Sequence, residues 1–494
     1  MNLTQESFIA LAPLLIVGAT AVLVMLAIAA RRSHRGARLI AAIGLNAAFV
    51  SLYFAAQIRP QPVTALLMID GYALFYMAII LVCTLACVTL FHAYLEQYQG
   101  NREEMYLLLM LACMGGLVLA CSRHFASLFI GLELLSVPVY AMVAYMFREN
   151  QSLEAGIKYM VLSAVASAFL LFGMALLYSQ YGSLSFADIV PRANLVLSAP
   201  IIFAGVTLMI VGLGFKLSIA PFHLWTPDVY QGAPAPVGAF LATASKVAVF
   251  AALLRFIVEA PVTHMVLVRD VLSALAVASI IIGNLLALTQ SNLKRLLGYS
   301  SVAHFGYVLV IIVAGIGQHS EHNTEHSTVQ MLEGVAMYLL TYVVTSLGTF
   351  GVVSLMSSPY RGHDADALSH YRGMFWRRPY LTGVMSAMML SLAGIPITAG
   401  FIGKFYALKA GVDAQLWILL GAVVVGSAMG LYYYLRVMIT TYLAEPGMTR
   451  YDAQLNWVQQ SSGMLVVVAA AAMFFLGVYP QPIIELIQQA TLAL

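Results

Sequence analysis

Apolar residues run through this chain in long stretches, and polar residues gather in the short gaps between them. Fourteen stretches are about 20 residues long, the helix length that crosses a ~30 Å hydrocarbon core. They fall at roughly 8–30, 37–57, 71–95, 104–121, 125–147, 155–179, 199–221, 234–258, 268–290, 296–316, 330–356, 379–408, 415–442 and 462–480. The pattern predicts an all-α polytopic membrane protein of about 14 transmembrane helices and no soluble domain. No basic segment precedes residues 8–30, so that stretch reads as a span and not as a cleavable signal peptide.

Two stretches are interrupted alike. One reads Gly212-Leu-Gly-Phe-Lys216-Leu-Ser-Ile-Ala-Pro221, the other Gly394-Ile-Pro396-Ile-Thr-Ala-Gly400-Phe-Ile-Gly403-Lys404. Glycine and proline at that density break the helical hydrogen-bond ladder, and freed backbone groups are tolerated only beside protein or water. The breaks occupy the seventh and twelfth spans, the fourth place in spans 4–8 and again in spans 9–13. Consecutive units of five helices enter the membrane in opposite directions, so two inverted five-helix repeats with two broken helices are expected. The chain then divides into a three-helix segment at 1–100, a first repeat at 101–260, a second at 261–445 and a C-terminal helix at 446–494.

Composition agrees with the pattern. Hydrophobic residues make up 62% of the chain and charged residues 9%, against about 25% charged in soluble domains. Where the charges sit says more than how many there are. Arg31, Arg32, Arg35 and Arg38 follow the first span and place its far end in the cytoplasm. That orientation puts fifteen basic residues on the cytoplasmic side. Six (Arg59, Arg123, Arg192, Arg255, Arg269 and Lys409) fall on the other side, where both termini also lie. A net charge of +3 is too small and too dispersed to suggest nucleic acid as a partner. Cys83, Cys87, Cys113 and Cys121 lie in or at the ends of spans, as buried thiols do. No Gly-x-Gly-x-x-Gly opening a soluble β-α unit, iron–sulfur cysteine set or pair of axial histidines marks a redox centre.

Four charges lie deep within apolar stretches: Glu133, Lys216, Lys246 and Lys404. An ionisable group in hydrocarbon costs about 2.5 kcal/mol or more, so such residues face a protein interior or a water path. Glu133, in Gly131-Leu-Glu-Leu-Leu-Ser-Val-Pro138, is the one acid of this kind. Met across a helix interface, Glu133 and Lys216 would each favour the other's charged form and make a switchable pair; a static pair that specifies packing is the alternative. Lys246, in Ala242-Thr-Ala-Ser-Lys246-Val-Ala, has no acid nearby in sequence. It is thus placed to hand its proton on, as an arginine would not be. Lys404 is its equivalent in the second unit and the counterpart of Lys216 in the matched breaks.

A second tier is polar. His223 follows Pro221, and His304 lies in Ser300-Ser-Val-Ala-His304-Phe-Gly. Each suits a proton relay through both ring nitrogens, or a hydrogen-bonded packing role. Tyr299, Ser300 and Ser301 suit a water chain. Glu154 and Lys158 form an i, i+4 pair near a cytoplasmic end, where Lys158 would line an entrance. His319, His322 and His326 lie in an acidic outer loop, read as solvated more readily than as a metal site.

The run Pro221-Phe-His-Leu-Trp-Thr-Pro-Asp-Val-Tyr-Gln-Gly-Ala-Pro-Ala-Pro236, continuing through Leu241-Ala-Thr-Ala-Ser-Lys246, resembles the antiporter-like subunits of bacterial proton-pumping NADH–quinone oxidoreductase, respiratory complex I. So do Asn292-Leu-Lys-Arg-Leu-Leu-Gly-Tyr-Ser-Ser301 and Phe401-Ile-Gly-Lys-Phe-Tyr406. The resemblance covers essentially the whole chain, and within the family it points to subunit N. The largest relative carries a long lateral helix that these 494 residues lack, and the middle one has a glutamate where Lys404 stands.

The resemblance implies fourteen helices and two inverted repeats, with Glu133 paired to Lys216, Lys246 a central proton site and Lys404 the site toward the outer half-channel. It implies no cofactor on this chain, with FMN and iron–sulfur clusters in other subunits. It further implies a bacterial inner (cytoplasmic) membrane, and as partners a second antiporter-like subunit, small membrane subunits and the lipid bilayer. Two rival readings share the fold: a subunit of a multisubunit cation/proton antiporter, and a structural membrane subunit that conducts nothing.

Overall fold

A computed structural model of the chain describes residues 4–491 apart from 59, 97, 99, 190–198, 261–264, 318–323, 358–363, 445–451 and 455. The chain is helical almost throughout. Its first part holds α1 (Gln5–Ala10), α2 (Ala12–Ala30), α3 (His34–Ala56), α4 (Gly71–Leu95), α5 (Glu104–Ala120), α6 (Phe125–Val143) and α7 (Asn150–Tyr181). The middle holds α8 (Ala199–Leu217), α9 (Trp225–Gly232), α10 (Ala235–Ala242), α11 (Ala244–Glu259), α12 (Val266–Leu288) and α13 (Leu293–Gly317). The remainder is α14 (Thr324–Met356), α15 (Met374–Arg377), α16 (Pro379–Ala393), α17 (Ala399–Asp413), α18 (Trp417–Tyr442), α19 (Ser461–Val478) and α20 (Gln481–Thr491). A short antiparallel pair, β1 (Gln61–Pro62) and β2 (Met68–Ile69), joins α3 to α4.

Twelve spans among the described residues are long and apolar enough to cross a membrane, with α10 and α11 together forming one of them. The other two expected spans are present in shorter form. One is α5, of 17 residues, and the other is the consecutive pair α16 and α17. Local signals set several ends. Asp70 accepts from the Ala73 amide at the start of α4, and Ser33 accepts from the Gly36 amide at the start of α3. Gly182 and Gly394, both at positive φ, end α7 and α16. Pro138 lies within α6 without ending it.

Burial ranks the helices. The apolar windows of α10–α11 and α13 are wholly buried, whereas those of α2, α7 and α19 are one-third buried. The molecule is therefore built around α10, α11, α13 and much of α14, with the outer helices turning apolar faces outward. Cys83, Cys87, Cys113 and Cys121 are free and buried. The histidine-bearing outer loop falls largely outside the described residues: His319 and His322 do so entirely, as does the side chain of His326.

Three details differ from the expectations set by sequence. The seventh span runs unbroken through Gly212 and Gly214 and breaks only between Leu217 and Trp225, with Ser218 at φ +62°. Gly212 serves contact instead: a Cβ there would sit 2.7 Å from the Leu170 Cβ of α7. The eighth span, expected to be continuous, is interrupted at Thr243 between α10 and α11. Arg255, expected in an outer loop, lies inside α11 and is 1% exposed.

Candidate functional site

Lys216 ends α8 among hydroxyls. Its ammonium donates to Ser136 Oγ of α6 at 2.7 Å and to Ser163 Oγ of α7 at 2.5 Å, with the Tyr140 hydroxyl at 3.4 Å. The expected Glu133–Lys216 ion pair does not form. Glu133 accepts instead from Ser167 Oγ at 2.6 Å. The reason is helical spacing: Ser136 follows Glu133 by three residues on α6, and Ser167 follows Ser163 by four on α7. The serines thus place acid and ammonium about one turn apart, with hydroxyls between them. Glu133 is also only half-buried, so it is not a deep acid within this chain, and it shares its face of α6 with exposed Ile130 and Val137.

Lys246 begins α11 and is 1% exposed. Its ammonium donates to the backbone carbonyl of Lys216 at 2.7 Å and to Ser218 Oγ at 2.5 Å. It lies 4.8 Å from the Trp225 ring centroid and 5.6 Å from that of Phe305. The last carbonyls of a helix have no intrahelical donor and carry its negative dipole end, so an ammonium there is favoured twice over. Trp225 Nε1 donates to the Phe215 carbonyl, and Ser279 Oγ of α12 accepts from the Ala220 amide. The broken segment is thereby held from three sides.

Lys404 does the same at the other break. Its ammonium donates to the Ala393 carbonyl, the last of α16, at 2.8 Å. In this contact Lys404 is like Lys246, while by its place in a broken span it is like Lys216. Both breaks also carry a non-glycine residue at positive φ, Ser218 at +62° and Ile397 at +77°, a conformation costing about 1–3 kcal/mol that surrounding contacts must hold.

His304 lies on the wholly buried α13. Its Nδ1 pairs with the Tyr338 hydroxyl at 2.7 Å and its Nε2 with the Tyr434 hydroxyl at 3.0 Å. Tyr434 in turn bonds Ser300. With Tyr338, Thr341, Thr345, Ser391 and Gly400, His304 lines a cavity with about 10 Å³ open to a water's centre, enough for one water. His223 is buried edge-on to Tyr299, ring centroids 6.2 Å apart, and makes no side-chain hydrogen bond to His304 or to a lysine. The structure does not join the two histidines directly.

Lys158 belongs to a charged cluster where α7, α9 and α13 meet. It bonds Glu154 at 2.6 Å and Asp228 at 2.8 Å, and Arg295 bonds Asp228 at 2.5 Å. These groups line a cavity of about 190 Å³. A neighbouring cavity of about 260 Å³ reaches Lys294, which donates to Asp364 at 2.6 Å and to the Ala233 carbonyl at 2.8 Å.

Two buried ion pairs were not foreseen from sequence: Lys294–Asp364, and Asp70–Arg255. In the second, two parallel hydrogen bonds of 2.8 Å join side chains that are each 1% exposed. The carboxylates of Asp70 and Asp364 are thus more buried than that of Glu133. Asp70, Arg255 and Lys294 lie near the ends of apolar runs and Asp364 lies between two of them, where a solvated or snorkelling side chain gives the same pattern.

Residues 122–430 match the family described as NADH:quinone oxidoreductase/Mrp antiporter, transmembrane. The chain is 57% identical over 498 aligned residues to NADH-quinone oxidoreductase subunit N of Ectopseudomonas mendocina (strain ymp), covering 100% of this chain and 98% of that one. It belongs to this family.

Among solved structures, a chain of respiratory complex I from Thermus thermophilus superposes with a TM-score of 0.80 at 33% identity, over 96% of this chain and 98% of that one. A chain of the Mrp complex from Dietzia sp. DQ12-45-1b superposes at 0.80 with 19% identity, over 99% and 97%. An archaeal membrane-bound sulfane sulfur reductase chain does so at 0.81 with 21% identity, over 98% and 97%. These last two share the fold. The segment matched to the family holds Glu133, Lys158, Lys216, His223, Lys246, His304 and Lys404, whereas Asp70 lies outside it.

Proposed function

We propose that this chain is the subunit N component of a bacterial NADH–quinone oxidoreductase, translocating protons while redox centres in other subunits oxidise NADH and reduce quinone. The observation that carries the reading is the contact between Lys246 and the carbonyl of Lys216, inside a bundle with no acid bonded to either lysine among the described residues. Two ammonium groups linked through one residue repel strongly in a low dielectric, so charge delivered to one drives it from the other. Serine and tyrosine hydroxyls around Lys216 donate and accept at once, which suits proton transfer toward Glu133.

Protons enter in this reading from the cavities beside Lys158 and Lys294, pass Lys216, Lys246 and His304, and leave beyond Lys404. His223 serves the entry side. Both termini then lie on the periplasmic side of the inner membrane, as the basic loops require. The two inverted repeats are 101–260 and 261–445, flanked by 1–100 and 446–494. The half-buried Glu133 with exposed Ile130 and Val137 supports contact with a neighbouring membrane subunit on that face.

Lys216→Ala in the assembled complex is expected to depress proton pumping and coupled quinone reduction together, as measured in membrane vesicles. Normal values for both would overturn the proposal. Sodium-dependent exchange without NADH would favour the antiporter reading instead, which the shared fold of the Mrp chain keeps open.

A further inference from the structure

α13 passes through the molecule from one end to the other. The cavities holding Lys158 and Lys294 lie at its first residues, Lys294 and Arg295. A third cavity, of about 400 Å³, lies at its last ones, Ile311, Ala314 and Gly315, and so opens at the opposite end of the bundle. Its polar lining comes from three other helices and includes Glu333 of α14, Tyr406, Lys409 and Asp413 of α17, and Gln488 of α20.

Glu333 is held firmly there. The Tyr406 hydroxyl donates to its Oε1 at 2.6 Å, and Gln488 Nε2 donates to its Oε2 at 3.0 Å. Two helices tie this carboxylate to the interior. On α14, Tyr338, bonded to His304, follows Glu333 by five residues, a rise of about 7.5 Å. On α17, Lys404 is buried, Tyr406 lines the cavity and Lys409 is exposed. The helix therefore passes from sealed interior to open cavity in a little over one turn. Lys404 itself bonds a carbonyl and no acid among the described residues.

We propose that Glu333 is the outward proton acceptor of the second half, taking the proton that Lys404 releases. The inference rests on the reading of Lys404 as a proton site. Lys404 stands outside the cavity lining, two residues before Tyr406 on α17, so its ammonium becomes an amine as its proton crosses that short gap to cavity water. Tyr406 accepts a proton on its oxygen while passing its own to Glu333 Oε1, leaving tyrosine unchanged and a neutral carboxylic acid. Glu333 then gives that proton to external water and returns to carboxylate. No electron moves, and charge balances at each transfer. Gln488 holds the second oxygen and so keeps the first turned toward Tyr406.

The test uses the assembled complex in sealed vesicles, comparing proton pumping per NADH oxidised among variants. Glu333→Gln keeps shape and loses the proton site, and should lower pumping about tenfold or more, with Glu333→Asp restoring much of it. A merely structural carboxylate would lose no pumping in the glutamine variant. Normal pumping in Glu333→Gln beside loss in Lys404→Ala overturns this inference and leaves the reading of Lys404 intact. Normal pumping in Lys404→Ala overturns that reading first. Should Glu333→Gln fail to assemble, Ala410→Cys decides access, because the four native cysteines are buried. Labelling by a membrane-impermeant maleimide from the periplasmic side supports the outlet; labelling only from the cytoplasmic side, or none, overturns it.

Discussion

Under the proposed function Lys246 does two things with one side chain: it fills the carbonyl end of α8 and releases a proton. A guanidinium meets the first demand and fails the second, because arginine stays protonated in proteins. Lys246→Arg is therefore expected to leave the complex assembled while abolishing pumping, whereas Lys246→Met loses the cap as well and lowers assembly. Subunit content of the purified complex and proton uptake by vesicles separate the two outcomes. Much of this was legible residue by residue, since a lysine amid Ala, Thr and Val at mid-span is too deep to reach the headgroups and survives only beside protein or water. Its partner was not legible, because a backbone carbonyl leaves no mark in a sequence. The same holds for the hydroxyls between Glu133 and Lys216, as serine is common in membrane helices for packing alone.

Broken helices are costly unless their neighbours fit the break. At the second break α19 does so through Gly477, where an added Cβ would lie 2.2 Å from the Ile397 carbonyl oxygen. Gly477→Ala must push α19 away from the strained Ile397 turn, and overpacking of this kind costs about 1–3 kcal/mol. It should lower the unfolding temperature of the purified complex and weaken coupling. Gly421→Ala on α18, with open space around it, should do neither. Sequence placed the breaks within Gly212–Pro221 and Gly394–Lys404, and both begin inside those stretches, the first after Leu217 and not at its glycines. Glycine has two uses in a membrane helix, ending it or letting another approach, and composition does not distinguish them. The interruption at Thr243 carries no glycine or proline at all, so nothing local announces it.

Over the whole molecule, ion pairs tie distant parts of the chain together. Asp70 and Arg255 join the start of α4 to α11, and Arg255 also stacks 4.9 Å from the Tyr72 ring. Removing one partner of a buried pair costs about 3–5 kcal/mol, whereas replacing both with apolar residues is often neutral. Asp70→Ala and Arg255→Ala alone should each reduce assembly, and the double change Asp70→Leu with Arg255→Met should restore much of both assembly and pumping, with Glu259, which Arg255 also bonds at 3.3 Å, left to Arg123 at 3.7 Å. Failure of a well-assembled double variant to pump would place this pair in the proton path instead of the scaffold.

The sequence by itself determined the crossings, their order and the lysines that no lipid would tolerate, because hydrocarbon enforces length and polarity on every span separately. Tertiary structure alone decided who meets whom: Lys246 with the carbonyl of Lys216, Lys404 with that of Ala393, and Glu133 with a serine rather than a lysine. Those contacts depend on helix rotation and on where a backbone breaks, to within one turn. Such quantities arise from packing among many helices at once, and no single stretch of sequence contains them.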